Sequence, residues 1–138
     1  MGRAVKGRVL SPGEASASAV VLREPLSLWG GLDPASGELI DAHHPQRGTQ
    51  LAGRILVMPG GRGSSSSSST LAEAARAGHA PAAILLGEQD LILAIGAAVV
   101  QELYGQRIPV VVLAPDDLAT IPDGAPISVA NDGEVTLG

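Results

Sequence analysis

The sequence has no cysteine and no phenylalanine, and its only aromatic side chains besides histidine are Trp29 and Tyr104. Without cysteine, the chain forms no disulfide and offers no thiolate ligand for an iron–sulfur cluster. Because 45% of the residues are nonetheless hydrophobic, alanine, valine, leucine and isoleucine must fill the core. A chain of 138 residues has the length of one domain, so we expect a single domain over residues 1–138.

Positive charge and long apolar runs are also scarce. The 9 Lys and Arg residues are dispersed, and 14 Asp and Glu residues give a formal net charge of −5. The sequence therefore has no basic stripe and no aromatic platform for nucleic acid. No apolar run reaches the ~20 residues that cross a bilayer, and residues 1–10 lack the apolar stretch of a signal peptide. We expect a cytoplasmic protein with no nucleic-acid or membrane partner.

The middle of the chain alternates between short apolar runs and helical patterns. The predicted elements are strands at 54–58, 82–86 and 110–113 and helices at 66–77 and 91–104. Asp90 is the expected N-cap of the second helix, while Gly78 and Gly105 follow the two helices as left-handed C-caps would. This order predicts a βαβαβ unit with parallel strands.

The two ends of the chain have a different pattern. Residues 5–10 and 17–22 are strand-like runs around a turn signal at 11–14, which predicts an antiparallel hairpin. Residues 126–130 and 134–137 predict a second hairpin that turns at Asn131-Asp132-Gly133. The fold class is therefore α/β, a parallel core flanked by antiparallel strands.

Residues 29–48 are mostly irregular, with a possible short strand at 38–41, and are either a functional loop or disordered.

One loop stands out, because the glycine-rich residues 59–63 precede six consecutive serines, 64–69. A flexible linker has this composition, but the run lies between a short strand and a short helix, which favours an ordered loop. Such a loop lies at the carboxyl end of a parallel strand and leads into a helix N-terminus, where anions bind. Arg62 and the serine hydroxyls add donors. No P-loop or Gly-x-Ser-x-Gly elbow is present.

The start of the helix after this loop has two interpretations. Thr70 and Glu73 match a capping box, which would begin the helix at Thr70 and leave barely two turns. We favour a start inside the serine run, with Ser64 and Ser65 at or just before the first turn.

Histidine and tryptophan supply the remaining candidates. His43, His44 and His79 are possible bases or metal ligands, but adjacent histidines do not easily point the same way, so structural or exposed roles are favoured. Trp29, beside Gly30-Gly31, is equally consistent with a ligand wall, a subunit anchor or core packing.

Several further segments form one pattern with the serine loop along almost the whole chain: 24–33, Gly37, Asp41, His44-Pro45, 51–53, Gly61-Arg62-Gly63-Ser64-Ser65, 80–84 and 102–105. Taken together, these segments resemble the small subunit of aconitase X enzymes. The sequence departs from the family pattern at Gln46-Arg47, where a small apolar and then a polar residue are expected, and at Leu28, which replaces a common phenylalanine.

The resemblance implies a β/β/α swivelling domain that pairs with a large subunit to form a heterodimer or a larger assembly. That subunit would supply cysteine ligands for an iron–sulfur or iron centre, so this chain would bind no cofactor and no metal itself. Family members are hydro-lyases of small hydroxy acids. Archaeal members act on mevalonate 5-phosphate, and bacterial members include cis-3-hydroxy-L-proline dehydratases, which the form of the serine loop favours here.

The resemblance also implies roles for individual residues. In aconitase-type swivelling domains a Gly-Ser-Ser motif supplies the catalytic base, which assigns that role to Ser64 with Ser65 as a rival. The neighbouring residues Gly61, Arg62, Gly63 and Ser65 would bind substrate. The residues Trp29, Gly30, Gly31 and His44 would line the cleft or the subunit interface.

Two other classes of protein remain as alternatives. A stand-alone module would use the same loop to capture an anion without chemistry. A phosphohistidine swivelling domain needs a histidine just after its glycine-rich turn, where Arg62 and the serines stand here.

Overall fold

The structure, a computed structural model, describes residues 3–61 and 65–137. These residues form eight strands and three helices. In chain order they are β1 (Arg3–Lys6), β2 (Arg8–Ser11), β3 (Ala15–Val21), β4 (Ile55–Met58), α1 (Ser66–Arg76), β5 (Ala83–Leu86), α2 (Leu91–Tyr104), β6 (Val110–Val112), α3 (Pro115–Leu118), β7 (Pro126–Val129) and β8 (Glu134–Leu137).

The predicted parallel core is confirmed. Strands β4, β5 and β6 pair in parallel, and the end of β3 adds a fourth parallel strand beside β4. Every residue of β4 and β5 is buried. Side chains alternate between two clusters, so Leu56 packs beneath α1 and α2 while Ile55 packs on the opposite face, which Leu118 of α3 covers. Burial on both faces explains why these strands appear in the sequence as continuous apolar runs.

Helix α2 has the predicted bounds and caps. Asp90 Oδ1 accepts the Leu93 N–H at 3.1 Å, and Gly105 closes the helix with φ +66°. Gly78 likewise has φ +80°, and the N–H groups of Gly78 and His79 donate to the carbonyls of Ala75 and Ala74, which is a Schellman motif. In the part of the chain that the structure describes, no helix is long and apolar enough to span a membrane.

Helix α1 begins inside the serine run, as favoured, with Ser65 at its N-cap position. The capping-box alternative is wrong, because Thr70 is already helical and its hydroxyl donates to the Ser66 carbonyl at 3.1 Å. Glu73 instead pairs with Arg76 on the exposed side of the helix. The hydrogen bond from Arg76 lowers the pKa of the Glu73 carboxyl.

The predicted N-terminal hairpin is wrong, because β2 and β3 do not pair with each other. Strand β2 pairs with β6, whereas β3 pairs with β7 through its first half and with β4 through its second. The C-terminal hairpin of β7 and β8 is confirmed. The full strand order is β1-β8-β7-β3-β4-β5-β6-β2, so β1 and β2, separated by one residue, lie at opposite ends of the sheet.

That one residue, Gly7, closes the sheet nearly into a barrel. Its N–H donates to the Gly133 carbonyl at 2.9 Å. A Cβ at Gly7 would overlap the Val111 side chain and lie 2.8 Å from the Val112 carbonyl oxygen. At Gly7 the chain therefore stops pairing with β8 and begins to pair with β6, and the space at this position admits no side chain.

The irregular segment 29–48 is ordered rather than disordered. Leu32 and Leu39 are fully buried in the core beneath the helices. The predicted strand at 38–41 is wrong, since this stretch makes only isolated bridges, Leu32 with Leu39 and Glu38 with Gln50. Turns at this spacing leave too few consecutive residues in register for a ladder.

We predict that Gly7→Val lowers the free energy of unfolding by about 3 kcal/mol, because the new side chain must displace backbone and core atoms. Urea unfolding followed by circular dichroism measures the change. Lys6→Ala is the matched control, since it removes only an exposed ion pair with Asp132 and should have little effect. Equal stability of Gly7→Val and the unsubstituted protein would contradict the close approach seen at Gly7.

Candidate functional site

Three loops meet at the carboxyl ends of the parallel strands. The loop after β3 reaches the loop after β4 through a parallel bridge between Leu26 and Gly61. The loop after β5 approaches from the other side and places Asp90 against Gly61. Gly61 is therefore held between the two neighbouring loops, at the edge of the sheet where α/β proteins bind ligands.

Two glycines of this loop are in contact with carboxylates. A Cβ at Gly60 would overlap the Glu88 carboxylate, and a Cβ at Gly61 would overlap that of Asp90. Asp90 has two roles, because Oδ1 caps α2 while Oδ2 lies against Gly61. Sequence analysis identified Asp90 only as a cap, and it did not single out Glu88.

Of the predicted loop residues, Arg62, Gly63 and Ser64 lie outside the described residues. Gly61 and Ser65 stand on either side of them. Ser65 is exposed and makes no capping bond with its side chain, while its carbonyl accepts the Ser68 hydroxyl at 2.9 Å. The N-terminus of α1 therefore follows the loop directly, and the helix dipole favours negative charge there.

A serine for which the sequence suggested no role joins helix α1 to the loop after β3. Ser67, in the first turn of α1, is only 3% exposed. Its Oγ accepts the Trp29 N–H at 3.3 Å and lies 3.3 Å from Ser27 Oγ. The signal was present in the sequence, because the spacing of Ser67, Leu71 and Ala74 places them on one face of a helix, and all three are buried.

The predicted cleft residues Trp29, Gly30 and Gly31 form a tight turn in which Trp29 and Gly30 are exposed and Gly31 is buried. The Trp29 side chain is 61% exposed, which rules out core packing. Gly30 has φ +79°, and a Cβ at Gly31 would overlap the Ser27 carbonyl oxygen. Both glycines are therefore required by the backbone, and the turn presents an indole ring to solvent.

His44 is also a predicted cleft residue, and it is only 6% exposed. Its Nδ1 accepts the Gln46 N–H at 3.0 Å, so Nε2 carries the proton and donates to the Glu24 carbonyl at 3.2 Å. The ring thus fixes the segment that leads into the Trp29 turn. Its placement at a cleft or interface stays a prediction.

The other two histidines lie elsewhere. His79 Nδ1 lies 3.1 Å from the Pro34 carbonyl oxygen, and His43 is exposed. Among residues 3–61 and 65–137, no group of three or more His, Cys, Asp or Glu is placed to hold a metal ion.

Gln46, a departure from the pattern of the resemblance, completes the end of β3. Its Nε2 donates to the Val21 carbonyl and its Oε1 accepts the Arg23 N–H, both at 2.8 Å. The side-chain amide thus substitutes for a neighbouring strand where β3 leads into the first site loop.

A family model described as the aconitase X swivel domain matches residues 4–137. Among curated proteins, the chain is 50% identical over 117 residues to cis-3-hydroxy-L-proline dehydratase of Pseudomonas aeruginosa, a match that covers 83% of this chain and 20% of the relative. It is 37% identical over 134 residues to the phosphomevalonate dehydratase small subunit of Thermococcus kodakarensis, covering 96% and 95%. The chain thus spans about a fifth of the first relative and nearly all of the second.

The fold has a solved counterpart. The crystal structure of holo-form aconitase X from Thermococcus kodakaraensis contains a chain that superposes with a TM-score of 0.87 at 35% identity. The match covers 99% of this chain and 98% of that one. The swivelling α/β fold predicted from the sequence is confirmed.

Proposed function

Because this chain belongs to the aconitase X swivel-domain family, we propose that it is the swivelling part of a dehydratase and contributes the serine-rich loop to a shared active site. The observation that carries the proposal is the convergence of three loops on the start of α1, with Gly61 at its centre. A helix N-terminus with serine hydroxyls and close-packed glycine backbone suits the binding of a carboxylate.

The rest of the active site is proposed to lie in a large catalytic subunit or domain. The P. aeruginosa relative has about four-fifths of its length outside the region that matches this chain, since the match covers 20% of it. An iron–sulfur or iron centre would belong to that larger part. This chain has no cysteine, and its described residues hold no cluster of ligands, so they do not fit the metal.

The substrate class that fits this site is a small hydroxy acid, and we favour cis-3-hydroxy-L-proline. That molecule carries an ammonium group as well as a carboxylate, whereas mevalonate 5-phosphate carries only negative charges. The carboxylates of Glu88 and Asp90 stand beside Gly60 and Gly61. They would attract an ammonium group, which cis-3-hydroxy-L-proline has and mevalonate 5-phosphate lacks, and this supports the amino-acid substrate.

Ser64 is the proposed base, with Ser65 as the neighbouring candidate. Dehydration removes a proton from the carbon next to the one that loses its hydroxyl group. A serine alkoxide would accept that proton, and the helix dipole and first N–H groups of α1 would stabilise its negative charge. The group that protonates the departing hydroxyl would belong to the larger part of the enzyme.

The proposed function predicts that the chain alone has no dehydratase activity, whereas the chain reconstituted with its catalytic partner dehydrates cis-3-hydroxy-L-proline. Product formation with this substrate and with mevalonate 5-phosphate distinguishes the two relatives' activities. Turnover by the purified chain alone would contradict a shared site. Saturable carboxylate binding by the chain, with no activity in any reconstituted complex, would instead favour the anion-binding module.

Trp29 should become less accessible to solvent when the catalytic partner binds. It is 61% exposed in this chain, and an exposed indole near a site is a common anchor of interfaces. Acrylamide quenching reports on the ring directly, because Trp29 is the only tryptophan. The measurement needs a partner whose own tryptophans are replaced, and equal quenching before and after assembly would show that Trp29 lies outside the interface.

Ser64→Ala should reduce kcat of the reconstituted enzyme by about 10²–10⁴-fold without preventing assembly, since loss of a positioned acid–base group has an effect of that size. Ser69→Ala is the control, because Ser69 belongs to the same serine run and is exposed on α1. If Ser65→Ala is inactive while Ser64→Ala stays active, the catalytic base is Ser65 rather than Ser64. If both variants stay active, serine is not the base.

A further inference from the structure

We propose that Ser67 is a positioning residue that fastens the Trp29 turn to the start of α1. The part of this inference that concerns catalysis rests on the proposed function, but the contact itself does not. Ser67 follows the candidate bases in the serine run, yet it is buried in the first turn of the helix whereas Ser65 is exposed.

The Ser67 hydroxyl serves two groups from the loop after β3. It accepts the backbone N–H of Trp29, and it forms a second hydrogen bond with the Ser27 hydroxyl, both at 3.3 Å. A single side chain of α1 therefore contacts both ends of the short stretch 27–29. The bridge between Leu26 and Gly61 joins the loop after β3 to the loop after β4, at residues that precede Ser27 and the start of α1.

The surroundings of Ser67 are partly buried. The depression around it is narrow and is lined by Leu26, Leu28, Ile92 and Leu93 together with Gly61 and Asp90. Removing the hydroxyl would take the acceptor away from the part-buried Trp29 N–H, which is costly for a backbone donor. The turn would then open to solvent more often.

The proposed function relates this contact to the reaction. The Trp29 turn and the serine loop would face the same partner, so their relative position would set the distance between the base and a substrate held across the cleft. Misplacement of reacting groups by about 1 Å lowers rates strongly. Ser67 would therefore affect turnover without touching substrate.

The test compares Ser67→Ala with Ser27→Ala and Ser69→Ala. Amide hydrogen exchange of the full chain, measured by NMR, should become roughly fivefold to tenfold faster at Trp29 in Ser67→Ala. It should stay unchanged at Ile84, whose N–H bonds to the Pro109 carbonyl in the sheet. Ser27→Ala keeps the Trp29 bond and should have a smaller effect, and Ser69→Ala should have none.

In the reconstituted enzyme, Ser67→Ala should lower kcat about tenfold and leave KM nearly unchanged. Unchanged amide exchange at Trp29 would overturn the fastening role. Equal acceleration at Trp29 and Ile84 would also overturn it, because that result would indicate general destabilisation of the fold. Faster exchange at Trp29 with normal kcat would overturn the role in the reaction. An inactive unsubstituted complex would instead contradict the proposed function, and the exchange measurement would still decide the contact.

Discussion

Closure of the sheet at Gly7 is the constraint on which the rest of the structure depends. The β1–β2 segment pairs with β8 before Gly7 and with β6 after it, so one short stretch holds both ends of the sheet. Strand β3 makes the second junction, antiparallel to β7 and then parallel to β4. These two junctions fix the positions of strands β3, β4, β5 and β6 relative to one another. The three site loops follow the carboxyl ends of β3, β4 and β5.

The parts of this fold that could be predicted from the sequence are those with local signals. Asp90 and Gly105 mark the ends of α2 because caps are local chemistry, and the buried parallel strands appear as apolar runs. The partner of a strand is not local information. The turn signal at 11–14 predicts a hairpin, yet β2 and β3 separate there because closure of the barrel offers each of them a different neighbour.

The site shows the same division between local and long-range information. The glycine-rich loop and the start of the helix in the serine run follow from composition and spacing. The exposure of Trp29 does not, because the sequence is equally consistent with core packing of that side chain. The contacts of Gly60 with Glu88, of Gly61 with Asp90 and of Ser67 with Trp29 join segments distant in the chain. Helical spacing alone would have shown that Ser67 faces the core, but it could not have shown which backbone group accompanies it there.

These long-range contacts determine how a site divided between two bodies would open and close. In the loop after β4, Gly61 forms a bridge with Leu26 and packs against Asp90. In the helix that follows, Ser67 bonds to the Trp29 turn. Gln46 and His44 likewise hold the segments that lead into the Trp29 turn. Independent movement of these contacting residues would have to break several of these contacts at once, whereas movement of the whole chain against a partner would break none. In a shared site, access for substrate would therefore come from rotation of the intact domain, with the geometry of its own loops preserved throughout.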